Sequence, residues 1–546
     1  MRKAGTVSAF GAGQVDACCG VDVGTQGVRA VIVSGTGRVL GAGGAPICRD
    51  HRDGPVHEQP PEDWWQALVV AVREAVDQAT AAVGAVPDVR AVALDATSGT
   101  VLVEGADGSP RGPALMYDDT RAAAQAERAQ AAGAELWRSL GYRMQPAWAL
   151  PKVLWLQDAG ALGHGDRVVH QADHLVRRLV GAPVATDTSH ALKTGVDLES
   201  AAWPGEVFAD LGIPLALLPP VVLPGTVLGT VSAGAAAQTG LRAGTVVRAG
   251  MTDGCAAQIA ARALRPGSWS SALGTTLVVK GSTGQLLHDP SGAVYCHRNP
   301  DGGWLPGGAS STGAGVLRDT FPGADAAALA GLTRRAAALV PLAAVVYPLG
   351  GAGERFPFVA PAARAFGLET VGLDGVGLGT VGAAAGSGAH AGAGRTADAA
   401  RFGALCQGIA YVEKLAYDVL ADLGADVSGP VSLTGGAARN RWWSQLRADV
   451  LGRPALLPAF AEAAVGMAVL AAAEPGVLAE TAEAMVPIAE TLTPDPARGA
   501  ALLPGYHRLV EALADRGWLE HGLAGRVLAF RAGSGAVGSP AAEVAR

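Results

Sequence analysis

Residues 18–34, CCGVDVGTQGVRAVIVS, carry the pattern that decides the fold. Two apolar runs, CCGVDVG and VRAVIVS, flank a short turn that contains glycine, which predicts a β-hairpin. Gly24 and Gly27 let the backbone approach an anion closely, and successive amides beside Thr25 can form a concave set of donors. Asp22 ends the first apolar run, where a carboxylate is costly unless it acts on a metal ion or a hydroxyl. A plain hairpin with Asp near its turn is the alternative.

The second half of the chain repeats this design. In SWSSALGTTLVVKG, the run Leu273-Gly274-Thr275-Thr276 lies between two apolar strands. After the strand PVSLT comes Gly435-Gly436-Ala437-Ala438-Arg439-Asn440, where small residues can form a flat surface for a nucleobase or ribose. A plain strand–helix turn is the alternative for this third motif. One strand–turn–strand unit in each half, among alternating strands and helices, predicts an α/β chain.

The fourth motif, Ala249-Gly250-Met251-Thr252-Asp253-Gly254, places a carboxylate in a turn between a strand and the Ala-rich run CAAQIAARAL. An Asp at this place can cap the helix that follows. It can also accept the proton of a hydroxyl nucleophile, as phosphoryl transfer to an alcohol requires. The residue types alone leave both roles open for Asp253.

Length and composition exclude several classes of protein. A chain of 546 residues exceeds one hydrophobic core, so at least two domains are expected. A net charge of −7 without a basic stripe argues against a nucleic acid partner. Prolines interrupt the uncharged stretch 211–241, so no membrane helix is expected there. The six cysteines are scattered, which predicts reduced thiols in a cytoplasmic protein.

In this order, the four motifs resemble the FGGY family of carbohydrate kinases, within the larger actin-like ATPase fold, over residues 18–510. The resemblance implies an α/β protein with two actin-like (ribonuclease H-like) domains and a central cleft. It also implies ATP-dependent phosphorylation of a sugar with Mg²⁺. In that family the first two motifs hold the phosphates, the third holds adenosine, and the Asp of the fourth is the catalytic base.

The resemblance assigns roles residue by residue. Asp253 is the expected base and contacts the sugar, and Asp22 serves the metal ion and the substrate. ATP binding is expected of eleven residues: Gly24, Thr25, Gln26, Arg29, Gly274, Thr275, Thr276, Gly435, Gly436, Ala437 and Asn440. Ala437 departs from the family pattern, which commonly has a third glycine there, and adds a methyl group under the nucleotide.

One run in the sequence bears on the identity of the sugar. Xylulose kinases of the family usually carry Gln-Met-His-Gly after the third strand, whereas this chain has Asp95-Ala96-Thr97-Ser98-Gly99-Thr100. This run resembles the D-ribulose kinase branch, as do PALMYDDTRA and ALKTGVD. Ser98 and Lys193 are then expected to hydrogen-bond sugar hydroxyls, with a solvated surface lysine as the alternative for Lys193. Gly254 replaces the Ser expected in that branch, which predicts weaker selectivity.

The expected function is phosphorylation of D-ribulose to D-ribulose 5-phosphate. A xylulose kinase, or a kinase of another pentulose or a polyol, is the alternative within the class. An actin-like ATP-binding protein without sugar kinase activity is the alternative of another class. The expected partners are the sugar and ATP, with no nucleic acid and no membrane, and the oligomeric state stays open.

The predicted organisation has four parts: a flexible leader at 1–16, an N-terminal sugar-binding domain at 17–247, a C-terminal nucleotide-binding domain at 248–515 and an extension at 516–546. Helices are predicted from Pro61, where a proline and two acidic residues begin PEDWWQALVVAVREAVDQA, over about 118–160, and up to Gly424. The glycine-rich stretch 379–396 is predicted to be a loop insertion, because glycine disfavours helix.

Overall fold

A computed structural model of the protein describes residues 16–371 and 387–529, and nearly all of the predicted leader and the last part of the predicted extension fall outside these ranges. The strands are β1 (Asp16–Val23), β2 (Gly27–Ser34), β3 (Val39–Pro46), β4 (His51–Asp53), β5 (Val56–Gln59), β6 (Asp88–Ala96), β7 (Val101–Glu104), β8 (Ala114–Leu115), β9 (Arg167–His170), β10 (Thr186–Asp187), β11 (Val221–Val222), β12 (Val227–Thr230), β13 (Val246–Arg248), β14 (Trp269–Leu273), β15 (Leu277–Gly281), β16 (Tyr295–Arg298), β17 (Trp304–Ala309), β18 (Val431–Thr434), β19 (Ala455–Pro458) and β20 (Ile488–Leu492).

The helices alternate with these strands along the chain. They are α1 (Pro61–Val83), α2 (Ala123–Ala132), α3 (Ala134–Ser139), α4 (Ala149–Asp158), α5 (Gln171–Val180), α6 (Thr188–Ala191), α7 (Gly205–Asp210), α8 (Ala233–Thr239), α9 (Asp253–Ala260), α10 (Gly315–Thr320), α11 (Ala326–Ala336), α12 (Ser387–Asp422), α13 (Arg441–Leu451), α14 (Ala463–Ala472), α15 (Leu478–Met485), α16 (Pro496–Asp515) and α17 (His521–Ala529). None of these helices is both long enough and apolar enough to cross a membrane within the described ranges.

The first compact unit runs to Leu264 and also takes in His297–Gly303 and Ala459–Pro487. Its main sheet has the strand order β12-β13-β6-β1-β2-β3. Strand β2 is antiparallel to β1 and β3, whereas β1, β6 and β13 run parallel. Helix α1 covers the sheet with the buried side chains of Trp64, Trp65 and Leu68. It begins at Pro61 with two acidic residues, as the sequence predicts.

The second compact unit comprises Arg265–Cys296, Trp304–Pro458 and the chain from Ile488. Its sheet has the order β16-β17-β15-β14-β18-β19-β20. Strand β15 is antiparallel to β14 and β17, whereas β14, β18 and β19 run parallel. Five strands therefore repeat the topology of the first unit, and hairpin β14–β15 corresponds to hairpin β1–β2. This repeat agrees with the two related halves predicted from the two hairpin motifs.

The domain boundary predicted after residue 247 differs from this division, because the chain up to Leu264 packs with the first unit. Helix α9 contacts α14, a helix from much later in the sequence. The two backbones lie so close at Gly466 that a Cβ there would be 1.9 Å from the carbonyl oxygen of Ala256. Gly20 on β1 meets α14 in the same way, since a Cβ there would be 1.8 Å from the carbonyl oxygen of Ala464. Helix α14 thus sets the position of α9 relative to β1.

Two predicted segments differ from the structure. Residues 387–396 of the predicted loop insertion belong to helix α12, and residues 379–386 lie outside the described ranges. A glycine costs a helix only about 1 kcal/mol relative to alanine, and each residue added to an existing helix gains a hydrogen bond. The helical region predicted over about 118–160 is three shorter helices, α2 to α4, interrupted at Gly133 and between Ser139 and Ala149. Helix α12 ends before Gly424, which has a φ of 92°, as predicted.

Candidate active site

Two carboxyl groups lie side by side where β1 and β6 end. Asp22 and Asp95 are paired residues on these parallel strands. Asp95 is fully buried, and the carboxyl group of Asp22 is within hydrogen-bond reach of its own. Burial, and then the charges of Asp22 and Asp253, raise the pKa of Asp95 well above its usual value. Burial also raises the pKa of Asp22, and the charge of Asp253 contributes in the same direction. The three carboxyl groups form one electrostatically coupled cluster.

Asp253 is the exposed member of this cluster. It is the first residue of α9, and its carboxylate accepts a hydrogen bond of 2.7 Å from the backbone N–H of Gly254. The cap position belongs to Thr252, so the interpretation of Asp253 as the helix cap does not hold. Thr252 forms an isolated parallel bridge with Ala96, which brings the turn against the end of β6. The exposure of Asp253 leaves its carboxylate open to a hydroxyl substrate.

Ser189, a fully buried residue of α6, fixes the turn in front of Asp253. Its Oγ accepts a hydrogen bond of 3.1 Å from the backbone N–H of Thr252. The same Oγ lies 3.1 Å from the Oγ1 of Thr252 and 3.0 Å from the Nδ1 of His297. Asp187 caps α6 by accepting hydrogen bonds from the backbone N–H groups of Ser189 and His190. No sequence motif points to Ser189, because its contact residues lie 63 and 108 positions away along the chain.

We expect Ser189→Ala to lower kcat at least about tenfold, because an unsatisfied buried amide costs about 1–3 kcal/mol and lets the turn shift. Steady-state kinetics and the melting temperature measure the change. Thr239→Ala is the matched control, since the Oγ1 of Thr239 is also buried and accepts from a backbone N–H, that of Leu241, away from Asp253. Equal turnover in the Ser189 and Thr239 variants would contradict the role given to Ser189.

Ser98 and Lys193, predicted to contact the sugar, lie together. The backbone carbonyl of Ser98 accepts a hydrogen bond of 2.9 Å from the Nζ of Lys193. Gly99 has a φ of 98°, and a Cβ there would lie 3.0 Å from the Cδ of Lys193, so the turn packs tightly on the lysine stem. The Oγ of Ser98 is buried without a hydrogen-bond partner among the described residues. Lys193 is half-buried, which argues against a solvated surface lysine.

Lys152, which the sequence analysis missed, supports the same turn from α4. This lysine is fully buried, and its Nζ donates hydrogen bonds to the backbone carbonyls of Gly99, at 3.0 Å, and Met116. Burial, and then the charge of Lys193, lower the pKa of Lys152 to about 7. A lysine within the apolar run ALPKVLWL was the available signal, since lysine is rarely buried without partners.

Hairpin β1–β2 holds four of the residues predicted to bind ATP, three at its tip and Arg29 on β2. The turn closes through a hydrogen bond of 3.1 Å from the N–H of Gly24 to the carbonyl of Gly27. The Nε2 of Gln59, a fully buried residue, donates to the carbonyl of Thr25 at 2.9 Å. Arg29 has a side chain that is 75% exposed, and its Nη1 lies 3.4 Å from the Oδ2 of Asp22. Beside the tip lies an open cavity of about 830 Å³, lined by Gly24, Thr25, Gln26, Arg29, Arg52 and Tyr117 among others.

Hairpin β14–β15 has a tip of the same kind. The N–H of Gly274 donates to the carbonyl of Thr276 at 3.0 Å, and Thr275 at the tip is exposed. Gly435 follows β18 with a φ of 80°, and a Cβ there would lie 2.6 Å from the carbonyl oxygen of Leu273. Only glycine fits this close approach, so the second and third motifs are adjacent in the second unit.

A mostly apolar cavity of about 770 Å³ begins at the third motif. Its walls include Leu317, Phe321, Leu329, Phe402, Gly436, Ala437, Asn440 and Trp443. The Oδ1 of Asn440 accepts from the N–H of Trp443 at 3.2 Å, and its Nδ2 donates to the Oγ1 of Thr333 at 3.0 Å. Asn440 therefore shapes the wall through its own hydrogen bonds. An apolar cavity of this size suits a flat nucleobase.

The carboxyl cluster also fits a magnesium ion that arrives with a nucleotide. Burial and the charge of Asp253 disfavour the ionised form of Asp22, and a cation would offset both effects. Within the described ranges, no three His, Cys, Asp or Glu side chains are arranged to hold a metal ion by themselves. Mg²⁺ keeps several waters and binds through one or two carboxylates and the phosphates of the substrate.

Comparison with known proteins identifies the family of this chain. The N-terminal domain of the FGGY family of carbohydrate kinases matches residues 17–260, and the C-terminal domain of that family matches residues 270–474. The chain belongs to the FGGY family of carbohydrate kinases. This confirms the family resemblance and makes the protein a sugar kinase, against the alternative of an ATP-binding protein without that activity.

Relatives of this kinase include two curated xylulose kinases. The protein of Streptomyces rubiginosus is 32% identical over 464 residues, which span 83% of this chain and 87% of the relative. The protein of Streptomyces coelicolor is 32% identical over 463 residues, with shares of 83% and 87%. The crystal structure of xylulose kinase from Rhodospirillum rubrum matches with a TM-score of 0.76 at 24% identity, over 91% of this chain and 98% of that one. The kinase therefore has the expected two-domain actin-like fold.

Proposed function

We propose that this kinase transfers a phosphoryl group from ATP to a terminal hydroxyl of a ketopentose, with Asp253 as the general base. The observation that carries the proposal is the exposed carboxylate of Asp253, held at the start of α9 and close enough to Asp22 and the buried Asp95 to affect their pKa values. A hydroxyl nucleophile needs an acceptor for its proton, and an exposed carboxylate fixed by its turn supplies one.

In the proposed mechanism the sugar binds to the first unit. Its reacting hydroxyl donates a hydrogen bond to the carboxylate of Asp253 and transfers its proton there as the phosphoryl group arrives. Ser98 and Lys193 orient the other hydroxyls from the turn after β6. The hairpin tips at Thr25 and Thr275 contact the phosphates through their N–H and hydroxyl groups.

The nucleotide is proposed to place its base in the cavity that begins at Gly436. Arg29, whose exposed guanidinium forms an ion pair with Asp22, is proposed to meet the transferred phosphate. Asp22 would hold Mg²⁺, which neutralises charge on the phosphates when bound. The protein's contribution is thus positioning and charge balance, which is what phosphoryl transfer mainly requires.

Two sugars are proposed, in order. D-xylulose comes first, because the xylulose kinases reported above are 32% identical over 83% of this chain. D-ribulose, which the sequence analysis favoured, is the second candidate. The unpartnered hydroxyl of Ser98, in the run that replaces the Gln-Met-His-Gly usual in xylulose kinases, is the observation that supports it.

We expect kcat/KM for D-xylulose to exceed that for D-ribulose by about tenfold, since the sugars differ only in configuration at C3 and discrimination falls on a few polar groups. Competition kinetics with both sugars at equal concentration measures the ratio. Ser98→Ala should lower kcat/KM for the preferred sugar and leave the KM for ATP unchanged. A ratio that favours D-ribulose would reverse the order proposed. Ser98→Ala with sugar kinetics of the wild type would remove Ser98 from the sugar site.

A further inference from the structure

Glu354 is a buried carboxylate outside the site described so far, and it accepts an unusual number of hydrogen bonds. Its side chain lies in a residue that is 3% exposed. Oε2 accepts from the hydroxyls of Ser310 and Thr312, each at 3.0 Å, and of Tyr347 at 2.8 Å. Oε1 accepts from the backbone N–H groups of Ser311 at 2.6 Å and Arg355 at 3.0 Å. Five donors converge on one carboxylate, and hydrogen bonds to a charged acceptor are stronger than neutral ones.

Three of these donors belong to the segment 310–312, which follows β17 and packs on hairpin β14–β15. The N–H of Leu277 donates to the carbonyl of Thr312 at 2.8 Å, and the N–H of Ser310 donates to the carbonyl of Leu277 at 2.9 Å. Every residue of the segment therefore bonds either to Glu354 or to the hairpin. Ser310 and Thr312 bond to both Glu354 and the hairpin, so only this one segment lies between the carboxylate of Glu354 and hairpin β14–β15.

The next residues continue onto the hairpin tip itself. The N–H of Ala314 donates to the carbonyl of Gly274 at 2.9 Å, and the N–H of Gly315 donates to the carbonyl of Thr275 at 3.2 Å. A Cβ at Gly313 would lie 2.4 Å from the carbonyl oxygen of Thr275, so the two backbones are in direct contact. The conformation of the tip therefore depends on where residues 310–315 lie.

The other side of the carboxylate is anchored to residues 347–355. Tyr347 is fully buried, and burial followed by the charge of Glu354 raises its pKa, so its hydroxyl remains a donor at every physiological pH. Thr312 also forms an isolated antiparallel bridge with Leu349. Glu354 thus joins residues 347–355 to the segment that supports the hairpin tip.

We propose that Glu354 is a positioning residue for the phosphoryl donor: it holds segment 310–312 against hairpin β14–β15 and so fixes the N–H and hydroxyl groups of Thr275 and Thr276 that meet the nucleotide phosphates. This inference rests on the proposed function, because it takes the phosphates to bind at this hairpin. It adds to that proposal a residue, Glu354, that acts on nucleotide binding through segment 310–312.

Glu354→Gln tests the inference, because an amide replaces one acceptor oxygen with an N–H₂ group that faces donors. We expect the KM for ATP and the Kd for ADP each to rise at least about tenfold, while the KM for the sugar stays within about twofold of the wild type. Initial rates and calorimetric titration with ADP measure these values on the full chain. Tyr411→Phe is the matched control, since its buried hydroxyl donates to the carbonyl of Leu502 in the same unit, away from the hairpin.

A Glu354→Gln protein with a lower melting temperature but unchanged KM for ATP and Kd for ADP would overturn the inference, as would equal increases in the KM of both substrates. Thr276→Ala separates this failure from that of the proposed function. If Thr276→Ala weakens ADP binding and Glu354→Gln does not, only the role of Glu354 fails. If neither variant changes ADP binding, the phosphates do not bind at this hairpin.

If Glu354→Gln does not fold, the double variant Ser310→Ala/Thr312→Ala decides, because it removes two donors and keeps the carboxylate. We expect changes in the same direction but smaller: the KM for ATP should rise about threefold or more, and the KM for the sugar should not change. A double variant with the nucleotide kinetics of the wild type would contradict the inference.

Discussion

Asp253→Asn is expected to lower kcat by about 10²–10⁴-fold, the range that general-base help supplies. The amide keeps the shape of the side chain but cannot take the proton of the sugar hydroxyl. The hydrogen bond from the N–H of Gly254 to Oδ1 can persist, so the turn in front of α9 should keep its position. The Kd for ADP is expected to stay close to that of the wild type.

Single-turnover and steady-state assays with the preferred ketopentose measure this change. Asp210→Asn is the matched control, because Asp210 is an exposed carboxylate of the same unit, at the end of α7. It removes the same charge without touching the carboxyl cluster and should leave kcat unchanged. An Asp253→Asn enzyme that retains more than about a tenth of the wild-type turnover is incompatible with Asp253 as the base.

The largest loss of stability is expected from Glu413→Gln, which leaves the guanidinium of Arg447 buried without its counter-charge. Both side chains are inaccessible to solvent, and the Nε and Nη2 of Arg447 donate to the two carboxylate oxygens at 2.6 and 2.9 Å. Nη2 also donates to the Oγ of Ser271 on β14 at 3.0 Å. Removing one partner of a buried ion pair costs about 3–5 kcal/mol, so the free energy of unfolding should fall by that amount.

Denaturant unfolding and calorimetry measure the loss. The control is Asp422→Asn, which removes one partner of another two-point pair, with Arg526, in the same unit. The side chain of Arg526 is 55% exposed, so solvent screens this pair and its loss should lower the free energy of unfolding far less. Similar losses in the two variants would contradict the importance given to burial. Replacing the pair by Glu413→Met/Arg447→Leu should recover much of the stability, because no buried charge is then left alone.

The fold could be predicted because its deciding features are local in the sequence. Each hairpin motif joins two apolar strands through a few residues, so the strands around Gly24 and Gly274 follow from short-range pattern alone. The division into two compact units could not be derived in the same way, and the boundary after residue 247 stays a prediction. Segments 297–303 and 459–487 return to the first unit, and only three-dimensional packing at Gly466 shows that α9 belongs with β1.

The same distinction between local motifs and long-range contacts applies to the site. Asp22, Asp253, Ser98 and Lys193 stand in short motifs whose residue types suggest chemistry, and all four belong to the first unit. Their supporting residues act through contacts across long sequence separations. Glu354 was assigned no role from the sequence, because no sequence pattern indicates that five donors, three of them about forty residues earlier, converge on it.

Asp95 is the clearest example of a site residue that could not be predicted from the sequence. It lies three residues before Ser98 in a run that the sequence analysis used for the choice of sugar, yet it was given no role. Its importance follows from the parallel register of β1 and β6, which sets Asp95 beside Asp22. Strand pairing between residues 73 positions apart cannot be derived from either strand alone.

The central claim is a ketopentose-dependent phosphoryl transfer for which Asp253 is the base. The most direct test measures ADP release by the wild type and by Asp253→Asn, with ATP and Mg²⁺, in the presence of D-xylulose, D-ribulose, L-ribulose, ribitol, glycerol or no acceptor. If Asp253 is the base, we expect rapid ADP release by the wild type with a ketopentose, slow release without one, and a rate for Asp253→Asn that no acceptor raises. Release of ADP that is the same with every acceptor and with none, or that Asp253→Asn leaves intact, would contradict it.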